Sequence, residues 1–326
     1  MRPKIAVIHG VTDPTRPDEA DTIAQVHAVA DAVARLGWQV DIVAMDLDLT
    51  SVAQLARKKP AMVFNLVEAL DGHGHLLHVV PRMLDDASLA YTGSDTTALF
   101  TTSHKPIAKQ LMRAAGLPTP GWSSTGRDLR GTGKVIVKAA WEDASYGLDQ
   151  ESVVDAVDAA TEISRRQAQF RTDFFAEDFI PGREFNLSLL EGADGLSVLP
   201  AAEIRFDENT ANPFNIVDYA AKWDPAAASY HGTPRSFAFP PEDALLIERL
   251  DELARACWDL FGLSGYARVD FRVDAAGQPW ILEVNANPCL TPDAGFAAAA
   301  AQSGIGFDEL ISAILGLASA RTASAA

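Results

Sequence analysis

Positive charge is scarce in this chain. It has 27 Lys and Arg against 44 Asp and Glu, a formal net charge of -17. A surface of that sign repels a phosphate backbone, which argues against a nucleic-acid partner. A charged small molecule in a locally basic cleft stays allowed. Cysteine is scarce too: Cys257 and Cys289 are the only two in 326 residues, and they read as reduced thiols rather than as a disulfide framework. No apolar run is long enough to span a membrane, and the opening MRPKIAVIHG lacks the pattern of a secretory signal. The expectation is a cytoplasmic protein with no membrane partner. Phosphate-binding glycine motifs are also missing. GTGKV near Gly131 lacks the full GxxxxGK[ST], and the turn after the first strand offers only Gly10 where GxGxxG would stand.

What is present is apolar residue at 48%, enough for a large core and for two or three lobes. KIAVIHG, WQVDIVAMD and AMVFNLVEAL read as strands, and DTIAQVHAVADAVARLG and HLLHVVPRMLDDA as helices. Strands alternating with helices predict parallel α/β layers over about the first 100 residues. GLPTPGW punctuates the chain between lobes. KVIVKAA then reads as a strand, WEDASYG as a loop, SVVDAVDAATEISRRQAQF as a helix, and DFFAEDFI, EFNLSLLEG and LSVLPAAEIRF as strands. Residues 207–241 show little periodicity, the mark of a functional or mobile segment. Leu246, Leu250, Leu253, Cys257 and Leu260 mark a helical stripe. The small, polar end of the chain reads as a frayed tail.

The most informative stretch is ARVDFRVDAAGQPWILEVNA. It reads as two strands joined at a tight turn around Ala276–Gly277, with Asp274 opposite Pro279. That register sets Asp270 opposite Glu283 and Arg268 opposite Asn285, all four on one face, with Val269, Phe271, Leu282 and Val284 on the other. A one-residue slip would destroy the clustering. Two opposed carboxylates call for a cation, and an Asp, Glu and Asn oxygen set suits Mg²⁺ better than zinc. The bland alternative is Arg268 neutralising both acids in a salt-bridged hairpin. Phosphates held by such a metal need cations from elsewhere, and Lys105, Lys138 and Lys222 are the candidates. Lys138 stands out because it ends an apolar strand. In AEDFIPGREF, Glu177 and the Ile180 backbone precede a Pro181–Gly182 turn, an edge that can present polar groups to an adenine, and Glu184 is placed to accept ribose hydroxyls.

HKPIAKQLMRAAGLPTPGW, KVIVKAA, FFAEDFIPGREFNL, LPAAEIRF, DYAAKW, GYARVDFRV and ILEVNANPCLTP follow one another at spacings that resemble the ATP-grasp superfamily, and within it the D-alanine–D-alanine ligases. The resemblance spans about residues 60 to 317. It implies an α/β, three-lobed ATP-grasp architecture: a Rossmann-like parallel-sheet lobe over 1–102, mixed α+β central and C-terminal lobes over 103–182 and 183–318, and a flexible tail at 319–326. ATP would lie between the last two lobes. By the same resemblance Lys105 and Lys138 contact phosphates, Glu177 and Ile180 hold adenine, Glu184 holds ribose and Lys222 reaches the γ-phosphate. Asp270, Glu283 and Asn285 bind two Mg²⁺ (or Mn²⁺) ions. Arg268, with a backbone N–H after Pro288, stabilises the oxyanion formed when an amine attacks an acylphosphate. A homodimer is expected by analogy. The implied activity is ATP-dependent ligation of a small carboxylate to a small amine, both amino acids or their derivatives.

Departures from that family bear on the acceptor. WEDASYG carries Asp143 and Ala144 where the family has Gly and Ser, and Trp223 follows Lys222 in place of Tyr, so the expected lid network looks broken. Cys289 replaces a Gly, and Ala294 stands where a Ser would hold the acceptor carboxylate. Asp293 beside it would repel a carboxylate and favour an ammonium group. The loop EALDGHGH departs as well. The expectation is an acceptor other than D-alanine; a true D-alanine–D-alanine ligase, an ATP-grasp kinase and an inactive relative are the alternatives. His73, His75 and His78 raise a transition-metal site, and Cys289 a nucleophile, each without identifiable partners in the sequence.

Overall fold

The computed structural model describes residues 3–13, 15–48, 50–129, 133–142, 144–210 and 212–325, with side chains excepted at 18 and 319–325. Gly131 of the GTGKV stretch and Asp143 lie outside the described residues.

In chain order the elements are β1 (Lys4–Gly10), α1 (Pro17–Arg35), β2 (Gln39–Met45), α2 (Thr50–Lys58), β3 (Met62–Asn65), α3 (Val79–Asp86), α4 (Thr96–Ser103), α5 (Lys105–Ala114), β4 (Trp122–Ser123), β5 (Lys134–Ala139), β6 (Val153–Asp155), α6 (Ala159–Phe170) and β7 (Phe174–Asp178). They continue as β8 (Arg183–Gly192), β9 (Gly195–Val198), β10 (Ala202–Ile204), α7 (Tyr219–Trp223), α8 (Ala228–His231), β11 (Arg235–Ser236), α9 (Ala244–Phe261), β12 (Tyr266–Val273), β13 (Pro279–Asn285), α10 (Gly295–Gln302) and α11 (Phe307–Ala325).

Three sheets organise them. The first is parallel, in the order β2-β1-β3. β1 and β3 are buried on both sides, as parallel strands covered by helices must be, while the edge strand β2 is partly exposed. Val26, Val29 and Val33 of α1 pack with Ile5, Val7 and Phe64 on one face, and Val52 and Leu55 of α2 with Ala6, Ile8 and Val63 on the other. The second sheet, β4-β7-β5-β6, is antiparallel and covered by α6. The third runs β11-β10-β8-β12-β13, with β9 on β8. Its alternation is clean: Phe185, Leu187, Leu189, Val269, Phe271 and Val273 sink into a core closed by α9, while Glu184, Asn186, Arg268, Asp270 and Arg272 take the opposite face.

Several elements differ from their expected form. The strand expected over AMVFNLVEAL stops at Asn65, whose side-chain oxygen accepts from the Val67 N–H at 3.2 Å and turns the chain. The helix expected over SVVDAVDAATEISRRQAQF begins only at Ala159, because Val153–Asp155 pairs with β5. Helix α2 carries no expectation from the sequence. α4 and α5 bury Ala98, Leu99, Ala108 and Met112 in the core of the third sheet, although the central lobe opens at residue 103 by sequence. The backbone helix α11 runs on through residues 319–325, which the sequence sets apart as a tail.

Gly182 anchors the turn from the second sheet into the third. Its φ is 142°, and a Cβ there would stand 2.0 Å from the Val273 carbonyl oxygen. Gly133 has neither constraint: nothing lies within 4 Å of its Cβ position. Gly182→Ala is expected to lower unfolding free energy by about 2 kcal/mol or more, and Gly133→Ala by less than about 1 kcal/mol. Urea unfolding of the two variants side by side checks this.

Candidate functional site

The polar face of the third sheet forms the floor of the site. Arg268 pairs with Asn285 and Asp270 with Glu283, the register expected from the sequence. The register then shifts by one residue, so Phe271 faces Ile281 and Val273 faces Pro279. Leu282 is the extra residue of a β-bulge. Ile281 takes the core place expected of Leu282, and Asp274 closes the turn through its backbone N–H to the Gln278 carbonyl instead of opposing Pro279.

Arg268 grips Asp270 with two hydrogen bonds, Nε to Oδ1 and Nη2 to Oδ2, both 2.7 Å. Asn186 and Asn285 donate to the same carboxylate at 2.8 and 3.2 Å. Glu283 lies 3.6 Å from Lys105 Nζ. The salt-bridged hairpin is therefore present for Asp270, and Arg268 also acts electrostatically on Glu283. Burial pushes the Glu283 carboxyl up, yet Lys105, Lys138, Arg268 and Lys222 outweigh it and bring it down to about 2. Asp270 moves the other way: burial raises it, and Glu283 adds to the rise against the pull of Arg268. Two carboxylates opposed on one face repel each other, and a shared cation relieves that repulsion. The donor set fits Mg²⁺: two carboxylates and an amide oxygen, all hard ligands.

The candidate cations expected from the sequence gather near this floor. Lys105, first residue of α5, is buried and donates to the Glu142 carbonyl at 2.8 Å. Lys138 reaches Glu177 at 2.6 Å. Lys109, one turn beyond Lys105, reaches the other Glu177 oxygen at 2.5 Å and was not singled out by sequence. Its apolar-side position on α5 was the available signal. Burial lowers the Lys109 ammonium against the pull of Glu177. For Glu177 burial acts upward, but Lys109 and Lys138 overcome it and hold the carboxyl low. Lys222 is exposed on α7, 5.3 Å from the Trp223 ring centre.

Beyond β7, neither the N–H nor the C=O of Ile180 is hydrogen-bonded to another described residue. Glu184 pairs with Arg272 at 3.1 Å, and burial raises its carboxyl. Arg272, a second cation missed by sequence, also donates to the carbonyls of Gly182 and Asn215. It thereby ties Glu184 to the turn that follows Ile180.

Without the Ser and Tyr of the network that the sequence marks as broken, the loop around Ala144 and Ser145 is tied by other groups. Trp223 Nε1 donates to the Ala144 carbonyl and Ser145 Oγ to the Val217 carbonyl, both at 2.8 Å. Arg16 stacks over Tyr146 at 5.3 Å, which joins the loop to the first lobe. Backbone carbonyls receive these bonds.

The histidine loop packs as rings. His75 lies 6.1 Å and His104 4.3 Å from Trp141, and His78 lies 5.0 Å from Phe100. Among the described residues no group of three or more His, Cys, Asp or Glu is arranged to hold a metal, so the transition-metal reading has no geometry behind it. Burial pushes the Cys289 thiol up to about 12, which is wrong for a nucleophile. Its Sγ–H donates to Asp21 at 3.2 Å. The Cys289 N–H is not hydrogen-bonded to a described residue. Cys257 is buried and also free. Arg235 is the third missed cation. Its Nη2 donates to the Asp293 carbonyl at 2.6 Å, beside Ala294, so Asp293 does not make this corner purely acidic.

Residues 132–316 match the family model described as D-ala D-ala ligase C-terminus. The D-alanine–D-alanine ligase of Synechococcus sp. (strain JA-2-3B'a(2-13)) is 32% identical over 297 residues, 87% of this chain and 84% of that protein. That of Gloeobacter violaceus is 30% identical over 322 residues, 96% and 98%. An uncharacterized protein, y4sG of Sinorhizobium fredii, is 33% identical over 264 residues, 80% and 75%. In fold, the chain resembles the D-alanine–D-alanine ligase from Bacillus anthracis complexed with ATP, with a TM-score of 0.75 and 21% identity over 99% of both chains.

Two outcomes follow from the ion pairs. Lys109→Met leaves Glu177 buried with one partner and is expected to cost about 3 kcal/mol of stability in chemical unfolding. A depressed carboxyl contributes stability above its unfolded pKa and loses it as pH falls through the folded value. Glu283 should therefore help to stabilise the fold above about pH 4 and cease to do so toward pH 2. Unfolding of Glu283→Gln across that range should show a flatter acid limb than the unsubstituted protein.

Proposed function

The chain belongs to the D-alanine–D-alanine ligase family and is an ATP-dependent carbon–nitrogen ligase of that type; from this premise we propose that it joins a carboxylate to an amine other than D-alanine through an acylphosphate. The observation that carries the ligase chemistry is the convergence of Arg268, Asp270, Glu283 and Asn285 on one face, within the field of Lys105 and Lys138. No helix is long and apolar enough to cross a membrane.

In this proposal Lys105 and Lys138 bind phosphate oxygens and Lys222 reaches the γ-phosphate from α7. The Ile180 backbone takes the adenine edge beside Glu177, and Glu184 the ribose. Glu177 acts mainly by aiming Lys138. Asp270, Glu283 and Asn285 would hold Mg²⁺, which supplies positive charge to the phosphates during transfer. Arg268 would then turn from Asp270 toward the tetrahedral oxyanion, with the Cys289 N–H as second donor. The tied loop 141–147 keeps water from the acylphosphate.

The exclusion of D-alanine rests on the acceptor corner. Ala294 is the N-cap of α10 and offers no side-chain hydrogen bond there. A serine hydroxyl, by family resemblance the group that holds the acceptor carboxylate, is missing at this position. Ligation of D-alanine to itself is the second reading. It is favoured by relatives that carry that name over nearly the whole chain.

The test is phosphate release from ATP and Mg²⁺ with paired D- and L-amino acids, with products identified by mass spectrometry. An amide other than D-alanyl-D-alanine is the expected outcome. D-alanyl-D-alanine as the main product at a robust rate would overturn the acceptor proposal and leave the ligase chemistry standing.

A further inference from the structure

Glu68 has no part in the chemistry above, yet it lines a cavity between the start of α1 and the loop 141–147, together with Thr12, Glu19, Thr22, Ala144 and Tyr146. The turn forced by Asn65 puts it there. Thr22 Oγ1 donates to one carboxylate oxygen at 3.2 Å and Gln25 Nε2 to the other at 2.9 Å. The Gln25 oxygen in turn accepts from the Leu290 N–H at 2.5 Å. One amide side chain therefore separates Glu68 from the residue after Cys289, whose N–H is the second oxyanion donor of the proposed reaction.

We propose that Glu68 is the general base of the ligation step, taking the proton from the acceptor's ammonium group in this cavity. The assignment deepens the ligase reading and rests on it. An amine arrives protonated and cannot attack until its nitrogen lone pair is freed. The lysines and Arg268 serve the phosphates and the oxyanion in the proposed reaction. Asp270 and Glu283 belong to the phosphate end, and Asp21 is engaged by the Cys289 thiol. Glu68 forms no ion pair among the described residues. The ammonium proton passes to the Glu68 carboxylate, and the freed lone pair forms the C–N bond at the acyl carbon. The C–O bond to phosphate then breaks with its electron pair on phosphate. The departing phosphate takes the second nitrogen proton.

Burial raises the Glu68 carboxyl to about 7; Gln25 and Thr22 oppose the rise and Asp21 adds to it. A base works best with a pKa near the working pH. The charged and titratable groups around it are Asp21 on α1, Glu19 on α1 paired with Arg16, Lys222 on α7, Tyr266 on β12, Cys289, and Glu142 across the cavity.

The test compares amide formation with hydroxamate formation in Glu68→Gln. Hydroxylamine is uncharged near neutrality and attacks an acylphosphate without a base. Donor carboxylates from the amino-acid panel are used with ATP and Mg²⁺, either with an amino-acid acceptor or with hydroxylamine. The expected result is amide formation reduced about a hundredfold or more, with hydroxamate formation little changed. The unsubstituted enzyme's amide rate should rise with pH through about 7. Equal loss of both products would overturn the assignment and make Glu68 a structural residue, as would an unchanged amide rate. A wild-type enzyme that gives no hydroxamate with any donor would sink the ligase reading itself, and the base with it.

Discussion

A single buried carboxylate, Glu177, sits between two ammonium groups, and the site depends on that arrangement. Lys109 and Lys138 hold its two oxygens from α5 and β5, while Glu177 itself comes from β7. Any one of these charges would be costly alone in the interior; together they are mutually dependent. Lys109 extends the tie further. It donates to the Leu282 carbonyl at the bulge and to Thr119 Oγ1, and Thr119 donates to the Ile281 carbonyl. The hairpin that carries Glu283 and Asn285 is thus positioned by α5 and the loop before β4, not by its own turn alone.

The cleft is electrically divided. One end gathers Lys105 and Lys138 in a chain of net charge -17; the other gathers Glu19, Glu68 and Asp21 near the start of α1, and Lys222 acts on Glu283, Glu68 and Asp21 alike. Anionic phosphates and a cationic amine need opposite surroundings, and Glu283 lies within the field of the first end. A locally basic site on an acidic protein concentrates its anion where the chemistry needs it.

The architecture and the hairpin face were legible because they rest on periodicity and on a register that one slip would ruin. Asp270 opposite Glu283 follows from alternation alone. The bulge at Leu282 does not, because Trp280, Ile281 and Leu282 are all apolar and the pattern cannot say which of them sinks into the core. Lys109 was passed over because a lysine within a helix reads as surface charge, and only the fold reveals that Glu177 meets it. Arg272 and Arg235 were missed for a related reason: their partners are backbone carbonyls far along the chain. Glu68 was hidden by an expected strand that Asn65 cuts short. The ties of Trp223 were unreadable because they end on a peptide oxygen, which every residue has.

β13 is the outermost strand of the third sheet, and such an edge normally offers free N–H and C=O groups to any passing strand. Here the Ile281 N–H is taken by the Pro118 carbonyl, and the carbonyls of Ile281 and Leu282 are taken by Thr119 and Lys109. The bulge further spoils the regular spacing that a foreign strand would need. The groups that aim the hairpin therefore also guard it against edge-to-edge self-association, so weakening them should favour aggregation as well as misplacement of the site.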